Sequence, residues 1–335
     1  KAYFLKHYES AKTADINENG TVVGKLKGSL DTFSLFIEWA FRNVKKNGYV
    51  HFIVPLAVVS SDSMTALHQL LFDNCETIRI SHYAVRPRKV FHNSEIDVSI
   101  INFCKDEKPC KNLLTTKLNR KTEDSPIEKI TKKLKFVNSF GLTMPGRIPK
   151  IGTKIEQRIL KKLLRCKTTV GDLITEDGKA IYYRVSGGRY YKIITSYSTD
   201  STKEKPLIFD KKLADCVGAM LSSNLFFWFY QVYSNNHDLK SFEIEAFPIP
   251  AARLTPELIV KIKRLYKRYL NDIERNVIHH SSTTYANIDS FKEYKIRYSK
   301  PLIDAIDDLI CPLYGLTDKE REFIKNYEIE FRIDD

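Results

Sequence analysis

The stretch from Asp31 to Pro55 constrains this chain more than any other. Phe33, Phe36, Ile37, Ala40, Phe41 and Val44 recur at three- and four-residue spacing, which predicts an amphipathic helix with Ser29 or Asp31 as its cap and Asn47-Gly48 as its stop. Tyr49 to Val54 then runs almost unbroken in apolar character, the pattern of a strand covered on both faces. Ser60-Ser61-Asp62-Ser63 opens a second amphipathic helix through Leu67, Leu70, Leu71 and Phe72, ending near Asn74. Ile78 to Tyr83 and Ile96 to Phe103 read as further strands, the latter with Glu95 and Asp97 at its start. Helix and buried strand in alternation imply an α/β sheet. Three visible strands are few for a free-standing one, so this region is expected to complete a sheet begun upstream.

Residues 105–150 are charged and interrupted by Pro109, Pro126, Pro145 and Pro149, which reads as a domain junction. A helix is expected over Lys154–Arg165, then a β-rich stretch from Ala180 to Ile194 whose Gly187-Gly188 pair suits a hairpin turn. Leu213 through Tyr233 reads as one apolar helix. Pro256 to about Ile278 reads as a long helix, and after a polar loop a closing helix finishes at Tyr314-Gly315.

Several classes are excluded by what the sequence lacks. No apolar run approaches the roughly 20 residues that span a bilayer, and Lys1 to Tyr8 has neither the apolar core nor the cleavage site of a signal peptide, so a cytoplasmic protein with no membrane partner is expected. The six cysteines are scattered and form no CxxC; they read as reduced packing groups. The histidines offer no HExxH and no ligand spacing, so no metal site is expected.

Charge is concentrated. Residues 1–110 carry 14 Lys and Arg against 12 Asp and Glu, residues 111–215 carry 24 against 11, and residues 216–335 carry 16 against 18. The net charge of +13 therefore sits in the middle third. A positive field confined to one region attracts a polyanion there, and neutralising phosphates releases counterions. A solvated basic surface would carry the same charge.

From about Tyr3 to Asp335 these residues resemble the C-terminal part of the adenine-specific DNA methyltransferases of the fused restriction-modification, TaqI-like family. Asp31-Thr32-Phe33-Ser34-Leu35-Phe36, then Gly48 to Pro55, then Val90-Phe91 with Ile96 to Phe103, match the segments expected just after that family's NPPY tetrapeptide. Cys216 to Tyr230, followed by Phe247-Pro248-Ile249-Pro250, is similar to the family's recognition-domain helix and proline pair, and Ile303-Asp304 through Thr317 to its C-terminal helix. The resemblance implies a partial methyltransferase α/β sheet over residues 1–140, an α+β DNA target-recognition domain over 141–254 and a C-terminal helical region over 255–335. The complete enzyme would transfer the methyl of S-adenosylmethionine to the exocyclic amino group of a flipped adenine. Here the Gly-rich cofactor loop and NPPY are both missing. The chain alone is therefore expected to hold no catalytic residue, to bind no cofactor and not to methylate, and to act as a piece of a larger enzyme whose N-terminal half supplies both.

By the same resemblance Phe91 takes the place of the aromatic platform that stacks on a flipped base; its place at a strand start also suits a core phenylalanine. Phe36 matches the aromatic edge against the cofactor adenine, while its helical spacing equally suits core burial. Arg86, Arg88 and Lys89, just before Phe91, are candidates for gripping flanking phosphates. Arg184, Arg189 and Lys192 lie among Tyr182, Tyr183, Tyr190 and Tyr191 on the expected hairpin, where arginine would read guanine edges. Asn235, Asn236 and His237, with Lys240 behind them, form a second candidate, since asparagine pairs with adenine. The expected partner is double-stranded DNA. Alternative readings are a non-enzymatic DNA-specificity subunit acting with a separate methyltransferase, a nuclease, for which no PD-(D/E)xK arrangement is found, and an RNA-binding protein, for which no RRM or KH signature is found.

Overall fold

The computed structural model describes residues 1–12, 15–16, 22–23, 27–188, 190–281 and 290–332. The chain divides into two compact units, one of Lys1–Arg158 with Gln231–Asn235, the other of Ile159–Tyr230 with Asn236–Asp335.

In the first unit a short helix α1 (Ala2–His7) and an antiparallel ribbon of β1 (Asp15–Ile16) and β2 (Val22–Val23) precede α2 (Thr32–Asn43). The strands that follow are β3 (Tyr49–Pro55), β4 (Thr77–Ala84), β5 (Val98–Cys104), β6 (Asn112–Arg120) and β7 (Val137–Asn138), with α3 (Thr65–Asn74) between β3 and β4. They form one mixed sheet in the order β3-β5-β4-β6-β7. The β4–β6 pair is parallel and the other three are antiparallel. The apolar stripes of α2 and α3, through Ile37, Phe41, Leu67 and Leu71, join Val50, Val54, Ile78, Ile80, Ile101 and Phe103 in one core.

Two expectations are corrected here. β3 is not covered on both faces. It lies at the sheet edge, and Tyr49 and Ile53 remain 67% and 54% exposed while Val50 and Val54 are buried. Residues 105–150 are not merely a junction, because they carry β6, β7 and a short helix α4 (Ile127–Lys132). In β6 the inward residues include Thr115, Thr116 and Arg120 alongside Leu113 and Leu118, so an apolar count misses a strand whose buried hydroxyls are hydrogen-bonded, Thr115 to Ser139 Oγ at 2.7 Å. Residues 231–235 return to this unit, where Lys150 Nζ donates to the carbonyls of Val232 (3.0 Å) and Ser234 (2.6 Å) and the Tyr233 hydroxyl donates to Leu142 O (2.6 Å).

The helix α5 (Lys154–Leu163) links to the second unit, whose β8 (Thr168–Thr169) precedes the long β9 (Ile174–Arg184). β9 lies between β10 (Ile194–Thr195) and β11 (Glu204–Phe209), both antiparallel to it. The expected tight turn is instead a longer loop from residue 185 to 193. Gly187 and Gly188 lie within it at φ 86° and 58°, and a Cβ on Gly188 would come within 2.2 Å of Tyr191 O.

The expected single apolar helix is two, α6 (Ala214–Leu221) and α7 (Asn224–Tyr233). Ser222 Oγ bonds back to Gly218 O at 2.8 Å and Ser223 Oγ accepts the Phe226 N–H at 3.0 Å, so both hydroxyls compete with the helical ladder and Ser223 caps the second helix. The buried Asp307 carboxylate accepts the N–H groups of Asn224 (3.0 Å) and Leu225 (3.1 Å). α8 (Ser241–Glu245) and β12 (Pro248–Ile249), which pairs with β8, follow.

Thr255 caps α9 (Pro256–Arg275), which stops before an antiparallel hairpin of β13 (Val277–Ser281) and β14 (Ser290–Tyr294). α10 (Lys300–Ile310) packs with α6 and α9, and Gly218 allows Tyr266 of α9 to approach to 2.7 Å of where a Cβ would stand. Beyond Gly315 come α11 (Asp318–Lys325) and α12 (Ile329–Arg332). The first is opened by a Thr317–Glu320 capping box.

Candidate nucleic-acid interface

Between β4 and β5 the chain runs through a loop over residues 85–97 that is anchored from three sides. Buried Asp97 accepts the Val85 N–H through its carboxylate at 2.6 Å and the Leu56 N–H through its carbonyl at 2.9 Å. Arg120, buried at the end of β6, donates to Arg86 O at 3.2 Å, and Lys121 donates to Lys89 O at 3.1 Å. The Arg86–Pro87 peptide is cis. A loop tied in this way to a sheet presents its tip from a rigid base.

At that tip stands Phe91, 45% exposed and followed by exposed His92 and Asn93. Its ring belongs to the surface, so the core reading of this residue does not hold. Arg86 and Lys89 both pair with Glu95, the former at 3.8 Å, and Arg88 pairs with Glu123. The bond from Lys89 holds the Glu95 carboxyl below its ordinary range. Beside the tip a cavity of about 330 Å³ is lined by Arg88, Lys89, Val90, His92 and Lys121. Donors of this kind around a small recess suit an anionic oxygen group. The anchors Asp97, Arg120 and Lys121 and the counter-charge Glu123 are residues that sequence reasoning misses. Two basic residues closing a strand, Arg120-Lys121, are the available signal.

Phe36 is 53% exposed rather than buried. With Phe4, Tyr8, Leu35 and Trp39 it lines a groove of about 440 Å³ in the first unit. The Phe36 and Trp39 rings meet edge to face at 6.5 Å. Nearby in α2, fully buried Glu38 accepts the N–H groups of Glu9 (2.9 Å) and Ser10 (2.7 Å), fixing the segment after α1 against α2.

The second unit treats the remaining candidates unevenly. Arg184 donates to Thr199 Oγ1 at 3.1 Å and lies 5.2 Å from the centroid of the Tyr294 ring. Lys192, expected on a surface hairpin, is 5% exposed with its ammonium 3.9 Å from the centroid of Tyr230. It is an interior residue. Tyr183 is buried within β9, and Tyr190 and Tyr191 are buried in the loop after it, where buried Arg332 donates to Tyr190 O at 3.2 Å and packs over Tyr191. Arg189 lies outside the described residues. Asn235 and Asn236 are half-buried, the latter at φ 64°, and His237 is exposed. Lys240 is exposed and its backbone N–H is taken by Glu243 at 2.8 Å, at the start of α8. Of the sequence candidates, Arg86, Arg88, Lys89 and Phe91 are brought together.

Among the described residues no group of three or more histidine, cysteine or acidic side chains is placed to hold a metal ion, and no described helix is long and apolar enough to cross a membrane.

The architecture is that of a mixed α/β unit joined to an α+β unit. No family model matches the chain, and no curated protein does. Among solved structures the chain is similar to an ATP-dependent Type ISP restriction-modification enzyme LlaBIII bound to DNA, with 14% identity and a TM-score of 0.30 over 78% of this chain. The chain spans 16% of the length of that structure.

Proposed function

We propose that this chain is the DNA-reading part of a site-specific DNA adenine methyltransferase of a restriction-modification system. The observation that carries the reading is the anchored loop over residues 85–97, which holds an apolar ring in solvent beside a basic recess. On this reading Phe91 stacks on an adenine drawn from the duplex, offsetting its lost stacking, while Arg86, Arg88 and Lys89 hold the flanking phosphates. The concentration of positive charge in residues 111–215, including Arg120 and Lys121 behind the loop, supports a polyanionic partner.

The open edge of β3 supports a sheet that continues with strands from the rest of the enzyme, since an edge strand with exposed Tyr49 and Ile53 offers unpaired backbone groups and an uncovered face. The complete enzyme's S-adenosylmethionine would supply the methyl group. In this chain the exposed Phe36 ring and its groove fit the edge of a flat heterocycle, and no Gly-rich loop is present to take the amino-acid end. A DNA-specificity subunit acting with a separate methyltransferase would use the same loop.

The test is selection of the purified chain against random duplexes at two salt concentrations, with Phe91→Ala beside it. A recovered consensus that weakens in the variant supports the reading. Absence of binding at both salt concentrations overturns it.

A further inference from the structure

The second unit contains a cleft of about 530 Å³ between the loop after β9 and the end of β14, with Arg184, Tyr190 and Ile193 on one side and Lys292, Lys295 and Arg297 on the other. Its size falls within the roughly 300–1,000 Å³ of small-molecule sites and exceeds what a bare phosphate would fill. The charge of the lining is lopsided. Among the described lining residues Glu293 is the single carboxylate, and Lys295 (2.5 Å) and His280 (2.9 Å) already share it.

Two of the cations have no acidic partner among the described residues. Arg184 forms no direct ion pair among these: it is held by the Tyr294 ring and by the hydroxyl of Thr199, which in turn donates to the Glu204 carboxylate at 2.9 Å. Lys292 is half-buried and forms no ion pair among the described residues. Beneath them Arg332 is 1% exposed, its guanidinium 4.4 Å from the centroids of both Tyr191 and Phe227. A recess holding this excess of fixed positive charge is poised for a dianion. The rest of the lining, Tyr190, Tyr191, Ile193 and Ile296, is aromatic and apolar, a wall for a flat ring rather than a sugar chain.

We propose that this cleft binds a nucleoside monophosphate, its phosphate between Arg184 and Lys292 and its base against the tyrosine and isoleucine side. The ligand is either a free nucleotide or the phosphorylated end of a DNA strand; the chemistry recognised is the same. The cleft belongs to the second unit and the loop carrying Phe91 to the first.

The experiment is calorimetric titration of the full chain with 2′-deoxyadenosine 5′-monophosphate, deoxyadenosine and inorganic phosphate, repeated with Lys292→Gln and Arg184→Gln. The nucleotide is expected to bind at least about ten-fold more tightly than the nucleoside or phosphate alone, and each variant to lose about ten-fold, in line with removal of one charge-assisted hydrogen bond. Lys292 is partly exposed and its side chain anchors nothing in the described fold, so its variant remains interpretable if Arg184→Gln melts early. Equal binding of nucleotide and nucleoside, equal binding of nucleotide and phosphate, or unchanged affinity in Lys292→Gln overturns the proposal. Competition with a 5′-phosphorylated single strand separates the two sources: displacement supports a strand end, and its absence supports a free nucleotide. This titration and the duplex selection are separate readouts, so this site and the DNA-reading loop fail separately.

Discussion

The Asp97 carboxylate accepts the backbone N–H of Val85 at 2.6 Å, joining the last residue of the Phe91 loop to its first. Asp97→Ala leaves that buried donor unpaired, at about 1–3 kcal/mol. The expected outcome is faster amide exchange across residues 86–95 and weaker duplex binding, with Asp97→Asn intermediate because its amide oxygen still accepts. Unchanged exchange in Asp97→Ala would show that Arg120 and Lys121 suffice to hold the loop.

Phe91→Ala is expected to cost about 1–3 kcal/mol of binding to a cognate duplex, the usual worth of one base stacked on an aromatic ring. The loss is apolar, so the slope of affinity against salt stays the same. A binding titration across salt concentrations checks both. A change of slope with no loss of affinity at low salt would remove the stacking role.

Glu95 and Glu123 occupy the cations that the proposed function assigns to phosphates. Glu95→Gln and Glu123→Gln should therefore raise non-specific duplex affinity and steepen its salt dependence, by roughly one unit of slope for each additional phosphate neutralised. Arg88→Gln should do the reverse. If the two glutamate variants bind as the parent does, the loop cations are solvated surface groups.

The surroundings of His68 and His82 and those of Asp307 are expected to respond oppositely to acid. Burial pushes the His68 imidazole down to about 4, and burial with the charge of Lys150 holds His82 well below its ordinary value. Between the ordinary histidine value near 6.5 and these lowered ones the unfolded chain binds protons that the folded chain refuses, so stability is full above that range and falls with pH, by up to about 1.4 kcal/mol per unit for each histidine. Asp307 runs the other way. Burial raises its carboxyl to about 6, so the folded form holds a proton that the unfolded form has lost, and its contribution fades as pH rises through that value. Local opening energies from hydrogen exchange, corrected for intrinsic rates, should fall in α3 and β4 between pH 7 and 5 and rise in α10. The same trend in all three elements would discount these residues as the titrating groups.

The sequence carries the elements whose physics is local. The stripe from Phe33 to Val44 marks α2 nearly to the residue, and Asn47, at φ 63°, with Gly48 marks the turn after it. What it hides depends on distant partners. β6 is obscured because threonines and an arginine fill its inward positions, satisfied by groups far along the chain. The break between α6 and α7 rests on Ser222, which bonds back to Gly218, and on Ser223, whose cap of α7 is completed by Asp307, 83 residues from Asn224. The Thr317–Glu320 box before α11 is a purely local signal, legible from spacing alone, yet the expected helices stop short of it at Gly315. Of the candidate site, the cluster around Phe91 is visible because its members are sequence neighbours. Lys192 is misplaced by sequence reasoning because a positive residue among tyrosines looks the same whether its ammonium meets water or, as here, an aromatic face.

The exposed edge of β3 has a further consequence for handling the isolated polypeptide. Seven residues of extended backbone with Tyr49 and Ile53 on an uncovered face form a surface to which a second copy can add in antiparallel register. Concentrating or refolding the chain alone therefore favours strand-to-strand self-association, and the polypeptide would be best behaved when produced together with whatever occupies that edge.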